Sequence, residues 1–257
     1  MRVMMIGDVV GPAGVACVKK MLPRFKRENQ IDFVVANGEN SAQGNGILPQ
    51  SADALWDAGC DVLTTGNHAL RRREIFPYLE SHDWVLRPAN YHPDAPGRGF
   101  TILDRPPYQV LVINLQGTVY LDSLRCPFQT ADEILRQSNT RFCLVDFHAE
   151  ATSEKLCMGY YLDGRVSLVA GTHTHVPTAD ARILPGGTGY ITDLGMCGGQ
   201  NSVLGVKKEL ALHRMRTHLP TRFENDPEAI VINALVAEID DKSGKTTKMT
   251  RVDLGNL

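Results

Sequence analysis

Short apolar runs that pass directly into ligand-capable polar residues recur along this chain, and that recurrence constrains the fold more than any other feature. Arg2–Ile6 runs into Gly7-Asp8, and Phe33–Ala36 into Asn37-Gly38-Glu39-Asn40. Val62–Leu63 leads to Thr65-Gly66-Asn67-His68, and Phe142–Asp146 to Phe147-His148-Ala149-Glu150. Val166–Ala170 leads to Gly171-Thr172-His173-Thr174-His175. Runs rich in β-branched residues and bounded by turn formers read as buried strands. Helical patterns lie between them. Val15, Val18, Leu22 and Phe25 recur at helical spacing despite Pro23, a second helix runs from Pro49 to near Gly59, and Arg72–Glu80 reads as a helix kinked at Pro77. Phe100–Leu103 and Tyr108–Asn114 resemble a hairpin, Tyr190–Thr192 is a further strand, and Ile230–Ile239 pairs with Lys248–Val252 in a C-terminal hairpin. Mainly parallel strands early and more antiparallel ones later predict a layered α/β sandwich. No repeat, low-complexity tract or linker divides the 257 residues, so 1–257 reads as a single domain.

A net charge of −2 gives no global basic field, which argues against non-specific attachment to nucleic acid or membrane and leaves only a local basic patch open. The N-terminal apolar run is broken by Gly7 and Asp8, too short and too polar for a signal-peptide core. No stretch approaches the ~20 apolar residues of a membrane span. The six cysteines are scattered without a C-x-x-C pair, so a disulfide framework or structural zinc site is not expected and a reducing cytoplasm is.

In open α/β sheets, sites form beyond the carboxyl ends of the strands. Carboxylates, amide oxygens and imidazoles together suit manganese, iron or zinc, whereas an all-oxygen set would suit magnesium or calcium. On an extended segment His173 and His175, at i and i+2, point to one side. Glu39 or Asp8 has the two oxygens needed to bridge a pair of ions, and Asn40 and Asn67 offer neutral carbonyl oxygens. Glycines at 7, 38, 66 and 171 let the backbone turn sharply and approach closely. Each feature also has a plain reading: Asp8 as a helix cap, Asn37-Gly38 and Asn67 as turn residues, His148 as a core histidine. The adjacent imidazoles of His173 and His175 are hardest to explain by packing. Gly244-Lys245-Thr246 lacks the earlier glycine of a P-loop, and no G-x-S-x-G elbow is present. Cys197, between Met196 and Gly198-Gly199, reads as a partly buried, inert cysteine rather than a reactive thiol, and His82, His92, His213 and His218 as surface or packing residues.

The stretches MRVMMIGDVVG, NGENSAQGNG, TTGNH, LRPANY, VINLQG, DFHAEATSEK, GTHTHVPTAD and ITDLGM are similar to the bacterial YmdB-type cyclic-nucleotide phosphodiesterases, within the calcineurin-like metallophosphoesterase superfamily. The resemblance runs from Met1 to about Leu204. It implies a four-layer β-sandwich flanked by helices. Its cofactors would be two divalent metal ions, with iron expected and manganese or zinc as alternatives. Asp8 and His175 would hold the first ion and Glu39 would bridge to the second, whose shell Asn40, Asn67, His148 and His173 would complete. His68 would be the general acid. Implied substrates are 2′,3′- and 3′,5′-cyclic nucleotides.

The expected mechanism is attack by a hydroxide shared between two ions ~3.5–4 Å apart, with His68 protonating the leaving oxygen. Two segments depart from the family pattern: Ala69-Leu70-Arg71-Arg72-Arg73 after Gly-Asn-His, and Cys197-Gly198-Gly199-Gln200 after Gly195-Met196. Both bear on the substrate rim. The arginine run reads either as a solvated basic turn or as the source of a guanidinium that grips a substrate phosphate. One rival function is a phosphomonoesterase or 5′-nucleotidase on the same site, separable by comparing a bis-aryl with a mono-aryl phosphate. Another is a regulatory protein that binds nucleotide or RNA with little turnover, against which the intact ligand set speaks. The apolar helix faces suit a dimer or tetramer as well as a monomer.

Overall fold

Arg2–Val9 forms the first strand, β1, and beyond Arg2 it is buried throughout, as a strand between two packed layers must be. The computed structural model describes residues 1–255. After β1 come α1 (Gly11–Glu28), β2 (Phe33–Asn37), α2 (Pro49–Asp57) and β3 (Val62–Thr64). A 3-10 turn (Arg73–Ile75) leads into α3 (Phe76–Ser81), followed by β4 (Phe100–Arg105), β5 (Tyr108–Gln116), α4 (Pro127–Gln137) and β6 (Phe142–His148). Then come α5 (Thr152–Leu162), β7 (Leu168–Thr172), β8 (Arg182–Ile183), β9 (Gly189–Ile191), β10 (Met196–Gly199), α6 (Lys208–Thr217), β11 (Ile230–Ile239) and β12 (Thr246–Gly255).

Two six-stranded sheets result, ordered β12-β11-β10-β1-β2-β3 and β4-β5-β6-β7-β9-β8. Side-chain alternation along β1 assigns the layers. Val3 and Met5 join Val112, Leu144 and Leu168 of the second sheet in the central core, while Met4 and Ile6 pack with Val18 and Leu22 of α1. On the far side Leu111, Ile113 and Val145 pack against Ala131 and Ile134 of α4 and Met158 of α5. The order helix, sheet, sheet, helix is the four-layer sandwich that the family resemblance implies.

Parallel pairing is not confined to the first half. The neighbours β5-β6-β7-β9 are parallel, and antiparallel strands sit at the margins, in β4, β8 and the β11–β12 hairpin. The helix expected over Arg72–Glu80 is instead a 3-10 turn followed by a short α-helix, with Pro77 in the first turn of α3, where its missing N–H costs nothing. Among the described residues no helix is long and apolar enough to cross a membrane.

The parallel strands of both sheets end on one side of the molecule. At the end of β1 the register with β2 shifts between Ile6 and Asp8. A Cβ at Gly7 would lie 2.2 Å from the Gly195 carbonyl oxygen, so only glycine admits that carbonyl, which accepts the Asp8 N–H at 3.0 Å. The bulge thus fixes where Asp8 points.

Candidate metal centre

The side chains singled out as ligands or acid form one connected cluster. His175 Nε2 lies 3.6 Å from Asp8 Oδ1 and 3.3 Å from Asn40 Nδ2. Asn40 Nδ2 donates to Glu39 Oε1 at 3.2 Å, and that oxygen is 3.3 Å from both His68 Nδ1 and His148 Nε2. His148 Nε2 is 3.0 Å from Asn67 Oδ1 and 3.0 Å from His173 Nδ1. The backbone N–H of His173 closes the ring by donating to Asp8 Oδ2 at 3.0 Å. Glu39, His148 and His173 alone bring three donor atoms within 4.8 Å of one another.

The segment carrying His173 and His175 is not extended. Both residues are left-handed, at φ 106° and φ 64°, so two tight turns rather than strand alternation aim the rings inward. The buried Asp193 supports that backbone. Its Oδ2 accepts the Thr174 N–H at 3.0 Å and Lys155 Nζ at 2.7 Å, and its Oδ1 accepts the Gly195 N–H at 2.9 Å. Lys155 and Asp193 are each 1% exposed. Lys155→Met is therefore expected to lower unfolding free energy by about 3–5 kcal/mol in urea titration, because a desolvated carboxylate loses its counter-charge. A loss under about 1 kcal/mol would show the pair to be dispensable.

Three imidazoles share one pattern: an outward nitrogen tied to oxygen and an inward nitrogen free to donate a lone pair. His148 Nδ1 donates to Thr172 Oγ1 at 2.9 Å, because the Thr172 hydroxyl spends its own hydrogen on Asp146 Oδ1 at 2.7 Å. His173 Nε2 donates to Glu150 at 2.8 Å, and His175 Nδ1 to the Leu204 carbonyl at 3.0 Å. Such tethers fix tautomer and ring plane, as in metal-binding histidines. Asp8 Oδ1 is buried without a hydrogen-bond partner. An orphaned carboxylate oxygen facing an imidazole is costly unless a cation satisfies it. The donor set therefore fits divalent cations of the type that accept nitrogen and oxygen together. Asn40 needs one adjustment: its amide nitrogen faces Glu39 and His175 while its oxygen accepts from His68 Nδ1 at 2.9 Å, so donation to a cation on the Glu39 side requires the amide to turn over.

Charge follows the same geometry. Burial opposes ionisation of Glu39, but His148 and His68 outweigh it and hold the carboxyl well below the usual range. Burial pushes Asp8 up, against the pull of His175 and His148. Burial would keep His148 neutral, yet Glu39 and Asp8 push it up to about 9. Burial and the neighbouring His148 lower His173. Carboxylates this deep demand positive charge, and the inward nitrogens supply it either as a held proton or through a bound cation.

Several supporting residues escaped the sequence reading. Asp146 takes Asn37 Nδ2 at 3.1 Å along with the Thr64 and Thr172 hydroxyls, and so orders three strand ends. Its position two before His148, on the same strand face, was the available signal. Asn114 at the end of β5 clamps both the N–H and carbonyl of Thr65 at 2.9 Å, fixing the turn that carries Asn67. Of the arginine run, Arg72 is structural: its guanidinium donates to the Asn45 carbonyl at 3.0 Å and to that of Gln43 at 2.5 Å. Cys197 is fully buried, with its thiol pushed up by burial, as an inert cysteine should be. His82 stacks on Tyr78, 3.7 Å between ring centroids, away from the centre.

Comparison with known proteins agrees with this arrangement. The model of the YmdB-like protein family matches residues 4–252. A 2′,3′-cyclic-nucleotide 2′-phosphodiesterase of Bacillus subtilis (strain 168) is 43% identical over 254 residues, covering 98% of this chain and 96% of that protein. The crystal structure of a hypothetical protein from Thermus thermophilus matches at TM-score 0.95 and 38% identity, covering 100% of both chains. That of a novel phosphatase from Mycoplasma pneumoniae matches at TM-score 0.93 and 31% identity, covering 99% of this chain and 93% of the other. A family model and relatives that share nearly the whole length, and the fold that delivers five strand ends to one centre, lead to one assignment: the chain belongs to the YmdB-like protein family.

Proposed function

We propose that this chain is a metal-dependent phosphodiesterase that opens 2′,3′-cyclic nucleotides, with 3′,5′-cyclic nucleotides as a second substrate class. The observation that carries the proposal is the convergence of Glu39 Oε1, His148 Nε2, His173 Nδ1 and Asn67 Oδ1, with the unpartnered Asp8 Oδ1 3.6 Å from His175 Nε2. Asp8 and His175 would hold one cation, Glu39 would bridge, and Asn40, Asn67, His148 and His173 would hold the other. Iron is the expected metal, with manganese or zinc as alternatives. When bound, such a pair neutralises phosphoryl charge and supplies a nucleophile at neutral pH.

The chain's own residues do the rest. Glu150, Thr172 and the Leu204 carbonyl hold the imidazole planes so that no reorganisation accompanies substrate binding. His68 stands outside the tight cluster, 21% exposed at the wall of a cavity of about 570 Å³. The Asn40 side-chain amide engages His68 Nδ1 at 2.9 Å, which leaves Nε2 for the leaving oxygen. Attack at phosphorus breaks the bond to one ribose oxygen, and His68 delivers the proton that oxygen needs.

Metal analysis of the purified chain, joined to hydrolysis assays with added Mn²⁺ or Fe²⁺, tests this. About two ions per chain are expected, together with turnover of 2′,3′-cyclic AMP and faster cleavage of a bis-aryl than of a mono-aryl phosphate. A chain that takes up neither metal, or that prefers the mono-aryl ester, would overturn the reading.

A further inference from the structure

The cavity over the centre has a second wall unlike the first. Beyond Glu39 and the histidines it is lined by Arg71, from the turn after His68, and by Arg222 and Phe223, from the segment that follows α6. Neither guanidinium has a hydrogen-bonding or ion-pair partner among the described residues, in contrast to Arg72, which is consumed by loop carbonyls. The carboxylates lining the cavity are both engaged elsewhere, Glu39 with His68 and His148, and Glu224 with Lys207 at 2.7 Å. Phe223 is 47% exposed, an aromatic face left at the rim of a polar cavity.

A cyclic mononucleotide cannot use this wall fully. Its only phosphate goes to the metal centre, and what remains is an uncharged ribose and one base. Two free guanidinium groups and an open aromatic ring match a ligand that brings one more phosphate and one more base. Guanidinium is suited to two-point contact with phosphate, and an aromatic face accepts any base by stacking. We propose that this wall holds the nucleotide 5′ to the one that bears the scissile phosphate, so that the preferred substrate is a short RNA strand ending in a 2′,3′-cyclic phosphate. The inference rests on the diesterase reading for the location of the scissile group. The reaction is unchanged by it: water adds to phosphorus, one ribose P–O bond breaks, and the released oxygen takes the proton.

The test uses the full-length, Mn²⁺-loaded protein and two readouts. Equilibrium binding compares adenylyl-adenosine 3′-phosphate with adenosine 3′-monophosphate, and kcat/KM compares the matching dinucleotide and mononucleotide 2′,3′-cyclic phosphates. The dinucleotide is expected to bind roughly ten- to hundredfold more tightly, with a similar preference in kcat/KM, in line with one stacked base. Arg71→Ala and Arg222→Ala should each draw the dinucleotide-to-mononucleotide ratio toward one. Replacing both arginines together should also lower the salt dependence of dinucleotide binding by about 0.7 in the log–log slope, the share of one phosphate, a change that merely structural arginines do not produce. Phe223→Ala should lower the ratio and leave the slope alone. A wild-type ratio near one, or a ratio untouched in both arginine variants, overturns the proposal. A binding ratio that behaves as expected without turnover of either substrate upholds this wall and counts against the diesterase reading alone.

Discussion

A single methyl group at position 66 is expected to drive His148 out of the centre. A Cβ built on Gly66 lies 2.0 Å from His148 Cδ2 and 2.3 Å from both Cγ and Nε2. Gly66 does not have a left-handed φ, so Gly66→Ala tests space alone. The fully buried imidazole is tethered by Thr172 on one side and faces Asn67, His173 and Glu39 on the other, so it has no direction in which to yield cheaply. Overpacking of this kind costs about 1–3 kcal/mol, within what a domain of this size tolerates. Displacing a reacting or ligating group by an ångström costs ~10²-fold or more in rate. Gly66→Ala should therefore stay folded by circular dichroism, lose metal, and lose at least about a hundredfold in kcat/KM. Gly38→Ala is the matched control beside Glu39, since its Cβ would meet side-chain ends alone, Ile47 Cδ1 at 3.2 Å and the Leu55 and Leu63 methyls at 3.7 Å. Near-normal metal content and turnover in Gly66→Ala would mean that His148 is not held where the structure has it.

The contrast between those two glycines shows what one sequence can and cannot disclose. Strand ends carrying Asp8, Glu39, Asn67, His148 and His173 are legible because residue type and strand periodicity are local properties. Whether Gly38 or Gly66 is the crowded one depends on a neighbour far along the chain, and nothing local encodes it. The same limit hid the role of Thr172, and that of Asp146 apart from its place two residues before His148. Their roles arise from register, with His148 opposite Thr172 and Asp146 opposite Ala170 across β6 and β7. Asp193 and Lys155 were invisible for a related reason: a buried ion pair has the same composition as an exposed one until the fold encloses it. The inward aim of His173 and His175 was anticipated but its cause was not, because positive φ at a non-glycine residue is imposed by tertiary contacts and leaves little trace in composition. The arginine run likewise separates only in three dimensions, where Arg72 braces a loop and Arg71 faces the cavity.

His68→Ala is expected to lower kcat on a cyclic nucleotide by roughly 10²–10⁴-fold while leaving metal content at the wild-type level. Two features of the structure separate those outcomes. The contact of His68 with Glu39 that survives truncation is through the backbone, whose N–H donates to Glu39 Oε2 at 3.1 Å, so the proposed bridging carboxylate keeps an anchor. The side chain meets the cluster only by its Nδ1 edge, 2.9 Å from Asn40 Oδ1 and 3.3 Å from Glu39 Oε1, while the ring lines the cavity. A general acid matters in proportion to how poorly the departing group leaves unprotonated. The defect should therefore be large for 2′,3′-cyclic AMP, which expels a ribose alkoxide, and should shrink sharply for a bis-nitrophenyl phosphate, whose phenolate leaves unaided. A ligand role predicts the opposite: equal damage to both substrates, accompanied by loss of metal. Measuring kcat on the two esters, with metal content on the same samples, distinguishes proton delivery from coordination at position 68.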